Sequence, residues 1–115
     1  MKISSEKLTI RESNDIRIID VNGDLDSYTA VDLRKELDDL QKQRNYKIVV
    51  NLSNVEYINS TAVGALVGTA KQVRRRDGDV KVYGLADNLK RTFDLVGASK
   101  VVELYKSEAD AIASF

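Results

Sequence analysis

Cysteine and histidine are both missing from these 115 residues. Without cysteine there is neither a disulfide nor a thiolate zinc site, and without histidine the commonest metal ligand and general base is gone. Most familiar hydrolase and metalloenzyme mechanisms are thereby excluded. Charge of one sign is also lacking: 18 basic residues balance 18 acidic ones, so neither nucleic acid nor an anionic membrane is expected as a general partner. Long hydrophobic runs are absent too. Residues 1–20 hold no secretory signal, and no window approaches about 18 consecutive apolar residues. The default expectation is a soluble cytoplasmic protein with no metal and no cofactor.

What is present is one domain's worth of chain, residues 1–115, long enough to bury roughly two thirds of its unfolded surface without staples. Leu8 to Glu12 and Ile16 to Val21 are short apolar runs separated by Ser13-Asn14-Asp15, which predicts a β-hairpin. After a turn at Asn22-Gly23, a helix over about Ala30 to Arg44 is expected, capped by Ser27 or Thr29. Ala30, Leu33, Leu37 and Leu40 lie on its apolar face. Asp24 and Asp26 precede it. Two acids with no further clustered ligand are better read as turn or cap residues than as a metal site.

Lys47 to Leu52 is rich in β-branched residues and reads as a strand covered on both faces. Val63, Leu66, Val67, Ala70 and Val73 then recur at steps of three and four, predicting an amphipathic helix from about Ser60 to Arg76. Asp77-Gly78-Asp79 leads into Val80 to Gly84, a strand with one wetter face. Asp87 or Asn88 would cap a short helix bearing Leu89, Phe93 and Val96, with Gly97 as its C′ residue. Val101 to Tyr105 is a last strand. A final helix follows, capped by Ser107, with Ala109, Ile112 and Ala113 inward. The expected fold is α/β: a mixed sheet, with the antiparallel hairpin first and parallel β-α-β units after it, and about four helices packed on it. Arg74-Arg75-Arg76, at a helix end, is read as complementing the negative pole of the helix rather than as a phosphate or nucleic-acid patch.

Between the central strand and helix stand Asn59, Ser60 and Thr61, three short oxygen-bearing side chains. Asn59 is suited to cap the helix, and Ser60 and Thr61 fall in its first turn, where free N–H groups and the helix dipole favour negative charge. A phosphate there would be stabilised. Spacing alone favours the plainer reading, that Asn59-Ser60-Thr61 simply caps the helix.

The segment Asn51-Leu52-Ser53-Asn54-Val55-Glu56-Tyr57-Ile58-Asn59-Ser60-Thr61-Ala62-Val63-Gly64 resembles the signature of the STAS family, the anti-sigma factor antagonists. The likeness extends to Gly23-Asp24-Leu25-Asp26 with residues 30–37, and to residues 80–98, so it spans nearly the whole chain. Asn59 stands where the family usually has Asp, and Ala62 where it usually has Gly. The resemblance implies a single STAS domain that is a phosphoprotein and not an enzyme. It would act in transcription regulation by partner switching. Unphosphorylated, such a protein binds an anti-sigma factor that is itself a serine kinase, freeing the sigma factor. Phosphorylation ends the complex and a serine phosphatase resets it. By this likeness Ser60 is the phosphoacceptor, and Asn59, Ser60, Thr61, Ala62, Val63, Asp24 and Asp26 form the partner-binding surface. Direct contact with nucleic acid or membrane is not implied. The resemblance also leaves open a non-switching scaffold, or a small-ligand or nucleotide-binding module, in a stress-signalling or transporter complex.

Overall fold

Alternating apolar residues in the first half of the chain form a hairpin whose inner face becomes the floor of the core. The computed structural model describes residues 2–3 and 5–115. Its strands are β1 (Lys2–Ile3), β2 (Leu8–Ser13), β3 (Ile16–Val21), β4 (Lys47–Asn51), β5 (Asp79–Tyr83) and β6 (Glu103–Tyr105). They lie side by side in chain order in one six-stranded sheet. The pairs β1–β2 and β2–β3 are antiparallel, and β3–β4, β4–β5 and β5–β6 are parallel. The helices are α1 (Ser27–Lys42), α2 (Ser60–Arg74), α3 (Asp87–Leu95) and α4 (Glu108–Ala113), with a 3₁₀ turn at Ala98–Lys100. The mixed α/β sheet with four helices is as expected; β1 is an addition.

The two-residue period of the strands divides the core in two. Leu8, Ile10, Ile19, Val21, Ile48, Val50, Val80 and Val82 face one side, where they meet Leu33 and Leu37 of α1, Leu66, Ala70 and Val73 of α2, and Leu89 and Phe93 of α3. Ile16, Ile18, Val49 and Tyr83 face the other side, where Ala111 of α4 covers them. Because helices cover both faces, β5 has no wet side. Val80, Lys81, Val82 and Tyr83 are all buried, contrary to the alternation expected there. Lys81 is accommodated through its ion pair with Glu103 (3.0 Å) and by the ring of Phe115, 4.9 Å away.

Several helix boundaries differ from expectation for local reasons. α1 begins at Ser27 and is capped by Asp26, not by Ser27 or Thr29. The Asp26 carboxylate accepts from the N–H groups of Tyr28 and Thr29, which holds it below the usual carboxylate range. α3 is preceded by Ala86, so neither Asp87 nor Asn88 caps it. Val96 is the C-cap of α3 and is 64% exposed rather than inward, because left-handed Gly97 turns the chain away just after it. The last strand starts at Glu103, since residues 98–100 are taken by the 3₁₀ turn. In α4 Ser107 is the cap as expected, but Ala111 is the buried residue and Ala109 and Ala113 face solvent. Between α2 and β5, Gly78 passes so close to Tyr46 that a Cβ would fall 2.0 Å from its carbonyl oxygen.

Beneath α4 a polar cluster ties hairpin to helix. Arg11 donates to both carboxylate oxygens of Asp20 (2.6 and 2.8 Å) and to Glu108, and Asn51 donates to Asp20 at 2.9 Å. The Arg11 guanidinium holds the Asp20 carboxyl below its ordinary value. A carboxyl depressed on folding adds stability that is complete above its unfolded value, near about 3.9, and is lost as pH falls through the folded one. Urea midpoints measured from pH 7 to pH 2 should therefore fall less steeply below pH 4 in Asp20→Asn than in the parent. Parallel curves would show that Asp20 contributes nothing to acid stability.

Candidate functional site

The segments before α1 and α2 are stitched together at the C-terminal ends of β3 and β4. Leu25 and Ile58 form a parallel bridge, with the Leu25 N–H donating to Tyr57 (2.8 Å) and the Asn59 N–H to Leu25 (3.0 Å). Asp24 adds to the seam by accepting from the N–H groups of Glu56 (2.9 Å) and Tyr57 (3.1 Å). Asp24 and Asp26 therefore have the turn and cap roles that their spacing suggested. The result is two helix N-termini side by side, with the positive ends of both dipoles at the same edge.

At α2 the cap is Asn59, whose Oδ1 accepts from the Ala62 N–H at 2.9 Å. Ser60 is the first helical residue, and it and Thr61 are exposed. Val63 is buried against the core, and Ala62 is fully buried. The Ala62 methyl was expected near a partner surface. It instead points inward, one residue past the exposed pair on a helix that turns 100° per residue, so its side chain offers a partner nothing.

Ser60 also lines a groove between α2 and α3 with a volume of about 320 Å³. Val63, Val67, Val96 and Ala98 make its walls apolar, and Thr92 adds one hydroxyl. On the opposite flank of α2, a second depression of about 320 Å³ runs between Thr61, Gly64 and Gly68 and the Arg34 and Asp38 side chains of α1. A Cβ at Gly64 or Gly68 would meet nothing within 4 Å. The two glycines thus make α2 a low ridge at a cost of up to about 1 kcal/mol each in helix propensity. Large apolar side chains stand exposed at this end: Tyr28 and Val31 in the first turns of α1, Tyr57 before α2, and Leu95 and Val96 at the end of α3.

These surroundings were not foreseen. Leu95-Val96 before Gly97 was the available signal, since two large apolar residues at a helix end cannot both face inward. Among the described residues, no group of three or more acidic, histidine or cysteine side chains is placed to hold a metal ion. No helix there is long and apolar enough to cross a membrane.

An exposed serine opening a helix, beside a second capped helix and an apolar groove, is set in a chain whose residues 7–111 match the family model of the STAS domain. This chain belongs to the STAS family. Its relatives include the anti-sigma-B factor antagonist of Listeria monocytogenes, 33% identical over 110 residues that cover 96% of this chain and 95% of the relative. Among solved structures, an anti-sigma factor antagonist from Mycobacterium paratuberculosis matches with a TM-score of 0.83 at 22% identity, over 97% of both chains. The Bacillus cell fate determinant SpoIIAA in its phosphorylated form matches with a TM-score of 0.73 at 16% identity, over 93% of this chain and 97% of that one. In this STAS domain, then, the signature segment is the corner where β4 meets α2, and the family's first helix lies directly beside it.

Proposed function

We propose that this protein is an anti-sigma factor antagonist that acts by partner switching, with Ser60 as the phosphoacceptor. The observation that carries the reading is the position of Ser60: an exposed hydroxyl on the first residue of α2, on the lip of an apolar groove. Its likeness to an anti-sigma-B factor antagonist over nearly the full length of both chains supports the same role. The partner is a serine-kinase anti-sigma factor, whose capture frees the sigma factor. Asn59, Ser60 and Thr61 form the centre of the contact, and Val96 and Leu95 border it. Asp24 and Asp26 shape it by fixing the two helix ends, and Val63 supports it from below.

In the modifying step the Ser60 Oγ attacks the γ-phosphorus of ATP held by the kinase. An O–P bond forms, the bond to the β–γ bridging oxygen breaks, ADP leaves and the hydroxyl proton passes to a base on the kinase. The product adds about −1.5 to −2 charges and three acceptor oxygens. Free N–H groups of α2 stabilise that charge, so internal structure changes little. Across the interface the same group is a bulky, desolvated charge against apolar surface, and the complex separates. A serine phosphatase restores the hydroxyl. Asn59 is neutral and already accepts from Ala62, so it orients the helix end without repelling the incoming phosphoryl group.

The test is incubation with ATP and the serine-kinase anti-sigma factors of the source organism, read by peptide mass spectrometry and by pull-down. Phosphate on Ser60, with Ser60→Ala unmodified and still bound, is the expected result. Phosphate elsewhere would overturn the assignment of Ser60. Binding without phosphate would indicate a non-switching scaffold, and neither binding nor phosphate would overturn the antagonist role.

A further inference from the structure

The far end of the molecule carries a charge pattern that partner switching at Ser60 does not use. α2 is 15 residues long, so its C-terminus stands about 22 Å from Ser60 along the helix axis. There α1 and α2 end side by side, held by a hydrogen bond from Gln41 to Gln72 of 2.9 Å. Between them opens a cleft of about 360 Å³, lined by Gln41, Lys42, Tyr46, Gln72, Arg75 and Arg76. Three of these six residues are cations and none is an acid. Among the described residues, neither Lys42, Arg75 nor Arg76 has a carboxylate within 4 Å, whereas Arg74 is paired with Asp79 at 2.9 Å. Arg76 lies over the Tyr46 ring at 5.9 Å, which fixes one side of the cleft.

Helix-dipole complementarity accounts for Lys71 and Arg74 in the last turn of α2. It accounts as well for Lys42 in the last turn of α1 and for Arg75 as the C-cap of α2, but not for Arg76 beyond the cap or for the gathering of all three cations around one cleft. In a chain of zero formal net charge, unpaired like charges gathered around one cleft repel each other, and an anionic occupant removes that repulsion. We propose that this cleft is a second docking site, for an acidic peptide segment of a partner protein, and that it works independently of Ser60. Charge complementarity selects an acidic occupant. The width of the pole favours a peptide over a nucleic-acid duplex: exposed Asp77 follows Arg76 directly, and Asp38 lines the neighbouring depression, so a longer polyanion would meet carboxylates on both sides. Gln41 and Gln72 have amide hydrogens beyond the bond they share, suited to a peptide backbone.

The site is tested by titrating the ¹⁵N-labelled protein with a hexaglutamate peptide at 20 and 150 mM salt. Shifts should concentrate at residues 41–46 and 72–76, with affinity falling several-fold at the higher salt. Arg75→Glu/Arg76→Glu, whose spectrum reports its folding directly, should bind at least tenfold more weakly, while Ser60→Asp should bind as tightly as the parent. Absence of localised shifts, undiminished binding by the charge-reversed protein, or tighter binding to a 12-base-pair duplex than to the peptide would each overturn the proposal. Partner switching at Ser60 would stand or fall separately.

Discussion

Ser60→Asp should weaken the complex with the proposed serine-kinase anti-sigma factor by about 100-fold or more, while Ser60→Ala should stay within about threefold of the parent. The argument is one of environment. In the free protein an aspartate at the first position of α2 meets unsatisfied N–H groups and a positive helix end, which favour it by about 0.3–1 kcal/mol. In the proposed complex the same carboxylate would be stripped of water against the groove that Val63, Val67 and Val96 line. Among the described residues, none lining that groove is a cation. An unpaired charge buried this way costs several kcal/mol, and about 2.7 kcal/mol already corresponds to 100-fold in affinity. The two effects have opposite signs, which makes the outcome diagnostic. Isothermal titration should show lost affinity, while thermal melting shows a midpoint unchanged or slightly raised. Affinity lost together with a lower midpoint would mean that the substitution damages the fold, and unchanged affinity would place the interface away from Ser60.

Phe93→Ala should produce the largest loss of stability of any single change near the site, about 3–5 kcal/mol by the usual cost of deleting a buried aromatic ring. α3 has nine residues, no side-chain cap, and only Leu89 and Phe93 buried. A helix that short has little stability of its own and forms because its apolar face is anchored. Phe93 is fully buried, so its loss removes most of that anchor. Urea unfolding should show the drop, hydrogen exchange should show protection in α3 lost ahead of the sheet, and partner affinity should fall because Thr92 and Val96 no longer form a fixed wall. Leu95→Ala, on the exposed side, should change stability by no more than about 0.5 kcal/mol. A Phe93→Ala protein that keeps α3 protected would show that the groove is held by something other than this ring.

How far these features could be read in advance depended on how local their causes are. Asn59 as the cap of α2 was legible because a cap bonds within three residues, and the apolar period of Val63, Leu66, Ala70 and Val73 was legible because it repeats along one helix. Gly97 was legible as a C′ residue for the same reason. Asp26 was legible as a turn or cap residue but not as the cap of α1 in preference to Ser27 or Thr29, because every candidate in that run has a suitable oxygen. The choice was made by the Leu25–Ile58 bridge, which fixes where the chain leaves the sheet. Lys81 shows a different limit: alternation along β5 suggested a wet face, and only the return of the C-terminal segment over the sheet covered it.

The order of apolar and polar residues therefore determined by itself that the chain folds as alternating strands and helices and that α2 begins at Ser60, and the lack of cysteine and histidine that no thiol or imidazole chemistry of its own is available. Those properties follow from spacing and from which side chains exist. Tertiary structure alone decided that Asp24 ties the two helix ends together, that Ala62 points inward, that Val96 faces out beside Ser60, and that Lys42 meets Arg75 and Arg76 across a cleft. Each of these joins residues separated in the chain, and their distance is set by sheet register and helix packing rather than by any local preference.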